Sequence, residues 1–140
     1  MNIDSQKKQL FQLSDENLKH INSSVKKPNY DRSNLSPGIL HLGVGNFHRA
    51  HLSWYTHCLM QKGQAHNWAI IGSGVTEYDI QMREKLKKQD FLTTLIELDP
   101  QGNQSCEIIG PMIDYVPVET NNRSLIKTMS DPKIKIVSLT

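Results

Sequence analysis

The sequence has 140 residues, with 16 Lys and Arg against 14 Asp and Glu, a net charge of +2 and a hydrophobic share of 37%. That is one domain's length, enough to bury about 68–70% of the unfolded chain's surface. The composition excludes collagen and low-complexity disorder. The basic residues are scattered rather than gathered into a face for nucleic acid, and no apolar run approaches the roughly 18–20 residues of a membrane-spanning helix. No nucleic-acid or membrane partner is expected.

The opening residues lack a basic start followed by an apolar stretch, so no export signal is expected. Cys58 and Cys106, the only cysteines, lack CxxC spacing and read as reduced thiols of a cytoplasmic protein. The first 37 residues form a polar leader. Within it Ser14 is placed to cap a short helix, with Asp15 and Glu16 at the positive end of its dipole and Leu13 and Leu18 at staple spacing. Residues 26–38 are turn-rich and expected to wrap the surface.

Residues 39–42 have the pattern of a buried strand, and Gly43-Val-Gly45 follows at once. A helical pattern then runs to Gly63, with Phe47, Ala50, His51, Trp54, Tyr55 and Cys58 on one face, which is read as core. Residues 68–71 form a second buried strand, ended by Gly72-Ser-Gly74. Residues 78–89 then read as a helix with Met82 and Leu86 inward. Strand, glycine turn, helix and strand make a βαβ unit with parallel strands.

Residues 91–98 and 105–109 flank Asp99-Pro-Gln-Gly102, whose Pro at i+1 and Gly at i+3 suit a type I turn. They predict an antiparallel hairpin inserted into the parallel arrangement. Residues 112–118 predict another strand. Residues 122–129 predict a short helix with Leu125, Ile126 and Met129 on one side, stopped by Asp131-Pro132. Residues 134–139 close the series as a strand.

Chemistry concentrates at Gly43-Val-Gly45-Asn-Phe-His48. In a dinucleotide-binding turn the first glycine allows the tight bend, the second lets pyrophosphate approach the backbone, and the helix start supplies free N–H groups. Here His48 replaces the third glycine, which normally permits close helix–strand contact. An ordinary glycine-bearing βα turn with no ligand fits the same pattern equally well. His48 and His51 lie one helical turn apart with His41 nearby, but without HExxH or cysteine ligand spacing no metal site is expected. His48 reads as a loop imidazole, and the Trp54–Tyr55 pair as core.

The run from Gly38 to His51, Gly-Ile-Leu-His-Leu-Gly-Val-Gly-Asn-Phe-His-Arg-Ala-His, resembles the N-terminal segment of the long-chain mannitol dehydrogenase family, which includes the hexuronate reductases. Further matches lie at Pro28-Asn-Tyr-Asp-Arg32, Met82-Arg83, Gln89-Asp90, Ile109-Gly110 and residues 131–140. The leader looks most like the mannitol 2-dehydrogenase branch. The resemblance implies an α/β fold, an incomplete Rossmann-like parallel sheet with an inserted antiparallel hairpin, as residues 38–140 behind the leader 1–37.

It also implies NAD as cofactor, a small-molecule polyol or ketose as substrate, and interconversion of mannitol and fructose by hydride transfer at C2. The cofactor-binding residues would be Leu42, Gly43, Val44, Gly45, Asn46, Phe47, His48, Arg49 and Ala50, with Asp79 reading the adenosine ribose. For Arg49 a solvated helix-surface position, and for Asp79 a solvated helix-end carboxylate, are the competing readings. In the family a lysine, with Asn and His, is thought to move the hydroxyl proton from a separate helical C-terminal domain. No residue here matches that set, so no catalytic residue is assigned. The chain is expected to be the N-terminal fragment of a dehydrogenase of several hundred residues, and inactive alone. A fructuronate or tagaturonate reductase of the same family and a non-catalytic nucleotide-binding module are the alternatives.

Overall fold

The computed structural model describes residues 10–140, so the reading of the first nine residues lies outside it. Four strands form one parallel sheet: β1 (Pro37–Leu42), β2 (Ala69–Ser73), β5 (Met112–Tyr115) and β6 (Ile136–Leu139), in the order β5-β2-β1-β6. Strands β3 (Thr93–Leu98) and β4 (Gln104–Ile109) form a separate antiparallel pair, Thr93 opposite Ile109 and Leu98 opposite Gln104. Gly102 N–H donates to Asp99 O at 3.0 Å, closing the expected turn. The fold is α/β and Rossmann-like, as expected.

Side chains along β1 alternate between two cores. Ile39 joins Val44, Ile70, Met82, Leu86, Met112 and Tyr115 on one face of the sheet. Leu40 joins Val116 and Leu125 on the other. Strand β1 is thus covered on both faces, as an inner parallel strand requires, whereas Ile136, Val137 and Leu139 of the edge strand β6 are exposed. The two helices α1 (Asn46–Ala50) and α2 (Leu52–Gln61) connect β1 to β2, and α3 (Glu77–Lys87) connects β2 to the hairpin. Met82 and Leu86 of α3 are buried as predicted. Helix α4 (Arg123–Met129) buries only Leu125, whereas Ile126 and Met129 are exposed, so the predicted three-residue face is reduced to one residue.

A single helix predicted from the glycine turn to Gly63 is two. His51 breaks it with φ −121° and ψ −86°, outside the helical region. The phase of the buried face also differs from the sequence reading. His48, Ser53, Thr56, His57 and Met60 are buried, while Phe47, Ala50, His51 and Tyr55 face out. Trp54 is half-buried and Tyr55 is 53% exposed, so this pair is not core. In α2 hydrogen bonding decides the phase. The Nδ1 of His57 lies 2.7 Å from the Tyr30 hydroxyl, and its Nε2 lies 3.2 Å from Glu107 Oε1. Thr56 returns its hydroxyl to Leu52 O. Polar residues with partners can be buried at little cost, and they take the inner face.

The leader is stitched to this body. Ser14 Oγ accepts from Asn17 N–H, as predicted for a cap, although the turn it starts (Glu16–His20) is 3-10 rather than α. Lys26 exchanges backbone bonds with Cys106 and Ile108 of β4. Arg32 is the main fastening. Its buried guanidinium donates to Gly110 O (2.9 Å), Asp90 O (2.7 Å) and Met112 O (2.7 Å), and it pairs with Asp15. Asp90 and Phe91 have φ of 50° and 59°, the left-handed region that non-glycine residues avoid. Arg32 holds that bend by its first carbonyl, and Asp15 N–H binds the Asp90 carboxylate.

Candidate cofactor-binding site

Strand β1 ends at Leu42, and the chain turns sharply over the carboxyl edge of the sheet. Gly43 has φ +87°, and its N–H donates to Ser73 O of β2 at 2.9 Å. A Cβ there would also stand 2.6 Å from the Thr140 carbonyl. Glycine is therefore required on two counts. Gly45 N–H closes back onto Gly43 O at 2.9 Å, and Val44 is thereby turned down into the core beside Gly72.

Gly45 is a different case. Its backbone is extended (φ −90°, ψ −169°), open to any residue, and apart from its chain neighbours no atom of the described residues lies within 4 Å of where a Cβ would stand. Nothing in the fold itself requires glycine there. As the N-cap of α1 it leads into the amides of Asn46, Phe47 and His48, first-turn donors without intrahelical acceptors. An open, glycine-floored bend beside free N–H groups can take an anion close to the backbone.

The side chains of the loop divide. Asn46 and Phe47 are exposed, Phe47 stacked on His51 with ring centres 4.8 Å apart. Arg49 is half-buried, its guanidinium on Met82 Sδ of α3 and on Asn46 Oδ1, so it is not the freely solvated arginine of the competing reading. Asn46, Arg49 and Ala50 line one wall of a cleft of about 550 Å³ that reaches Leu86, Gln89 and Thr94. His48 is not a loop imidazole. It is fully buried, and its ring lies 3.9 Å from that of His41. Neither of its ring nitrogens has a partner among the described residues, and burial, then His41 and Arg49, push its pKa down to about 3. His41 sits on Ser138 Oγ (2.8 Å) and Thr140 Oγ1 (3.2 Å).

Asp79 stands at the end of β2, in the first turn of α3, only 6% exposed. It forms a capping box with Thr76, a motif readable in Thr76-Glu-Tyr-Asp79 but not singled out from the sequence. Its Oδ2 accepts from Val75 N–H (3.1 Å), Thr76 N–H (2.9 Å) and the Thr76 hydroxyl (2.6 Å). Among the described residues its Oδ1 accepts only the Tyr115 hydroxyl, at 3.3 Å. Burial acts to raise the carboxyl pKa, but these donors outweigh it and hold the group below the usual carboxylate range. Asp79 is thus neither solvated nor free. Glu77, the other acid of this turn, is exposed.

Among the described residues no three His, Cys, Asp or Glu side chains are placed to share a metal ion, and no helix is long and apolar enough to cross a membrane.

The sequence and the fold have known relatives. Residues 37–140 match the family described as the mannitol dehydrogenase Rossmann domain. A mannitol 2-dehydrogenase of Cereibacter sphaeroides is 54% identical over 117 residues, covering 84% of this chain and 24% of that protein. A polyol:NADP oxidoreductase of Gluconobacter oxydans is 37% identical over 130 residues, covering 91% of this chain and 26% of that one. The solved mannitol 2-dehydrogenase of Pseudomonas fluorescens, a ternary complex with NAD and D-mannitol, superposes with a TM-score of 0.88 at 38% identity, over 93% of this chain and 26% of its own. The chain spans about a quarter of the length of these relatives.

Proposed function

The chain belongs to the mannitol dehydrogenase family, and from that premise we propose that it holds NAD through residues 42–50 and Asp79, as the cofactor-binding part of a polyol dehydrogenase that interconverts mannitol and fructose. The observation that carries this reading is the empty space over Gly45 beside three first-turn amides. A pyrophosphate fits where a side chain would otherwise stand. Leu42, Gly43 and Val44 shape the bend, Asn46 and Arg49 flank it, and Phe47 and Ala50 form its outer wall. His48 serves through its backbone N–H, because its imidazole is buried beneath the turn.

Asp79 Oδ1 is the acceptor offered to the adenosine ribose hydroxyls, its other oxygen being saturated by the cap. A 2′-phosphate would meet like charge there, so NAD is favoured over NADP. When bound, the nicotinamide supplies the hydride acceptor for oxidation of the polyol at C2. Proton transfer at that hydroxyl is assigned to no residue of this chain.

Saturation-transfer NMR with NAD, which detects binding as weak as millimolar, tests the reading directly. Transfer to the adenine and ribose protons is the expected result. No transfer overturns it.

A further inference from the structure

Tyr115, the last residue of β5, has a fully buried side chain whose hydroxyl reaches past β2 to the first turn of α3 and donates to Asp79 Oδ1. The reach is built into the backbone beneath it. A Cβ on Gly72 would stand 2.7 Å from the Tyr115 ring and 2.9 Å from Val44 Cγ2, and a Cβ on Gly74 would stand 2.0 Å from Asp79 Cγ. Gly72-Ser-Gly74 is therefore a floor of two missing side chains, one under the tyrosine and one under the carboxylate. The tyrosine is itself pinned, since its carbonyl accepts from Arg83 Nε at 2.9 Å.

We infer that Tyr115 is the positioning residue for cofactor choice, fixing the one oxygen of Asp79 that the capping box leaves free. This rests on the ribose reading of Asp79 given above. Three donors anchor Oδ2, but a carboxylate held through one oxygen can still pivot about that point. The Tyr115 hydroxyl removes the remaining freedom and presents Oδ1 in a single orientation. It also donates to the ionised form, and so stabilises the charge that a 2′-phosphate would meet. Val44 packs on the same floor, so the glycine turn and the ribose acceptor share one rigid support.

The test is the ratio of NAD to NADP affinity, measured by titration of this chain as wild type, Tyr115→Phe and Asp79→Asn, each checked for an intact melting transition. Tyr115→Phe removes only the hydroxyl and keeps the ring over Gly72. We expect Asp79→Asn to narrow the ratio tenfold or more, and Tyr115→Phe to narrow it about threefold or more by weakening NAD alone. The loss of NAD affinity on acidification should also begin at higher pH in Tyr115→Phe, an effect that packing alone does not produce. A ratio changed by Asp79→Asn and untouched by Tyr115→Phe overturns the positioning role while leaving the ribose reading in place. A ratio unmoved by Asp79→Asn overturns both.

Discussion

The imidazole of His48 lies nearly flat on that of His41, ring centres 3.9 Å apart and planes 23° from parallel. The position is the one a third glycine would hold in a dinucleotide turn, where close contact between helix and strand is usual. Here two aromatic rings fill that contact instead. The helix start is seated on β1 through a stack rather than by backbone approach.

That stack makes the fold sensitive to acid. Unfolded, His48 takes up a proton near its ordinary value of 6.5, whereas folded it stays neutral down to about 3. As pH falls through this interval the unfolded chain gains a proton that the folded chain refuses, so stability falls with pH; above 6.5 this group contributes no slope. Burial also pushes His41 and His57 down, which adds to the loss. With a slope that rises towards about 1.36 kcal/mol per pH unit as the unfolded imidazole protonates, His48 alone accounts for about 1.6 kcal/mol between pH 6.5 and 5.0. His48→Phe keeps a stacking ring without the proton site. Urea unfolding at the two pH values should show a smaller difference in this variant, and an identical difference would remove His48 as the source.

The two glycines of the turn should separate binding from folding. Gly45→Val enters open space on an extended backbone, so stability should change by less than about 1 kcal/mol. NAD affinity should fall at least tenfold, because the side chain occupies the space proposed for pyrophosphate. Gly43→Ala meets both a positive φ and the Thr140 carbonyl, and should lose about 1–3 kcal/mol of stability. Calorimetric titration and thermal melting of the pair measure the contrast. Equal NAD affinity in wild type and Gly45→Val would count against the cofactor site.

Helix α2 offers a test of its inverted face. Tyr55→Ser removes a large aromatic from an exposed position and should cost within about 0.5 kcal/mol. His57→Leu replaces a polar group by an apolar one, yet leaves the Tyr30 hydroxyl and Glu107 without their partner, at a cost of about 1–3 kcal/mol. Denaturant midpoints give the order. The reverse order would restore the aromatic face to the core.

Arg32→Met should be among the most damaging single changes. It keeps the aliphatic stem but strands three backbone carbonyls and the Asp15 carboxylate. A loss of about 2–4 kcal/mol is expected for leaving these carbonyls without their charged donor, Asp15 being half exposed and able to take water. A change below 1 kcal/mol in urea unfolding would show that water replaces the guanidinium at these carbonyls.

Much of this architecture is legible in the sequence because it depends on local signals. Gly43 and Gly45 mark the turn, the apolar runs at residues 39–42 and 68–71 mark inner strands, and Asp99-Pro-Gln-Gly102 marks the hairpin. What hydropathy cannot carry is a long-range polar pairing. His57 is buried because Tyr30 and Glu107, 27 and 50 residues away, meet it, and the aromatic stripe is displaced outward as a result. Tyr115 is likewise invisible as a partner of Asp79 across 36 residues. The break at His51 leaves no signal in the sequence, since neither Pro nor Gly stands there.

The fastening by Arg32 bears on where this domain begins. The family match starts at residue 37, which suggests a natural cut just ahead of β1. A chain trimmed to 37–140 would keep every strand and every glycine of the turn, yet lose Arg32 from the Gly110 and Met112 carbonyls and Tyr30 from His57. It would also lose Lys26 from the edge of β4. The border drawn by the family match and the border drawn by the packing contacts thus differ on this polypeptide. The contacts that fasten the sheet start at Asp15, in residues whose polar composition gives no hint that the fold leans on them.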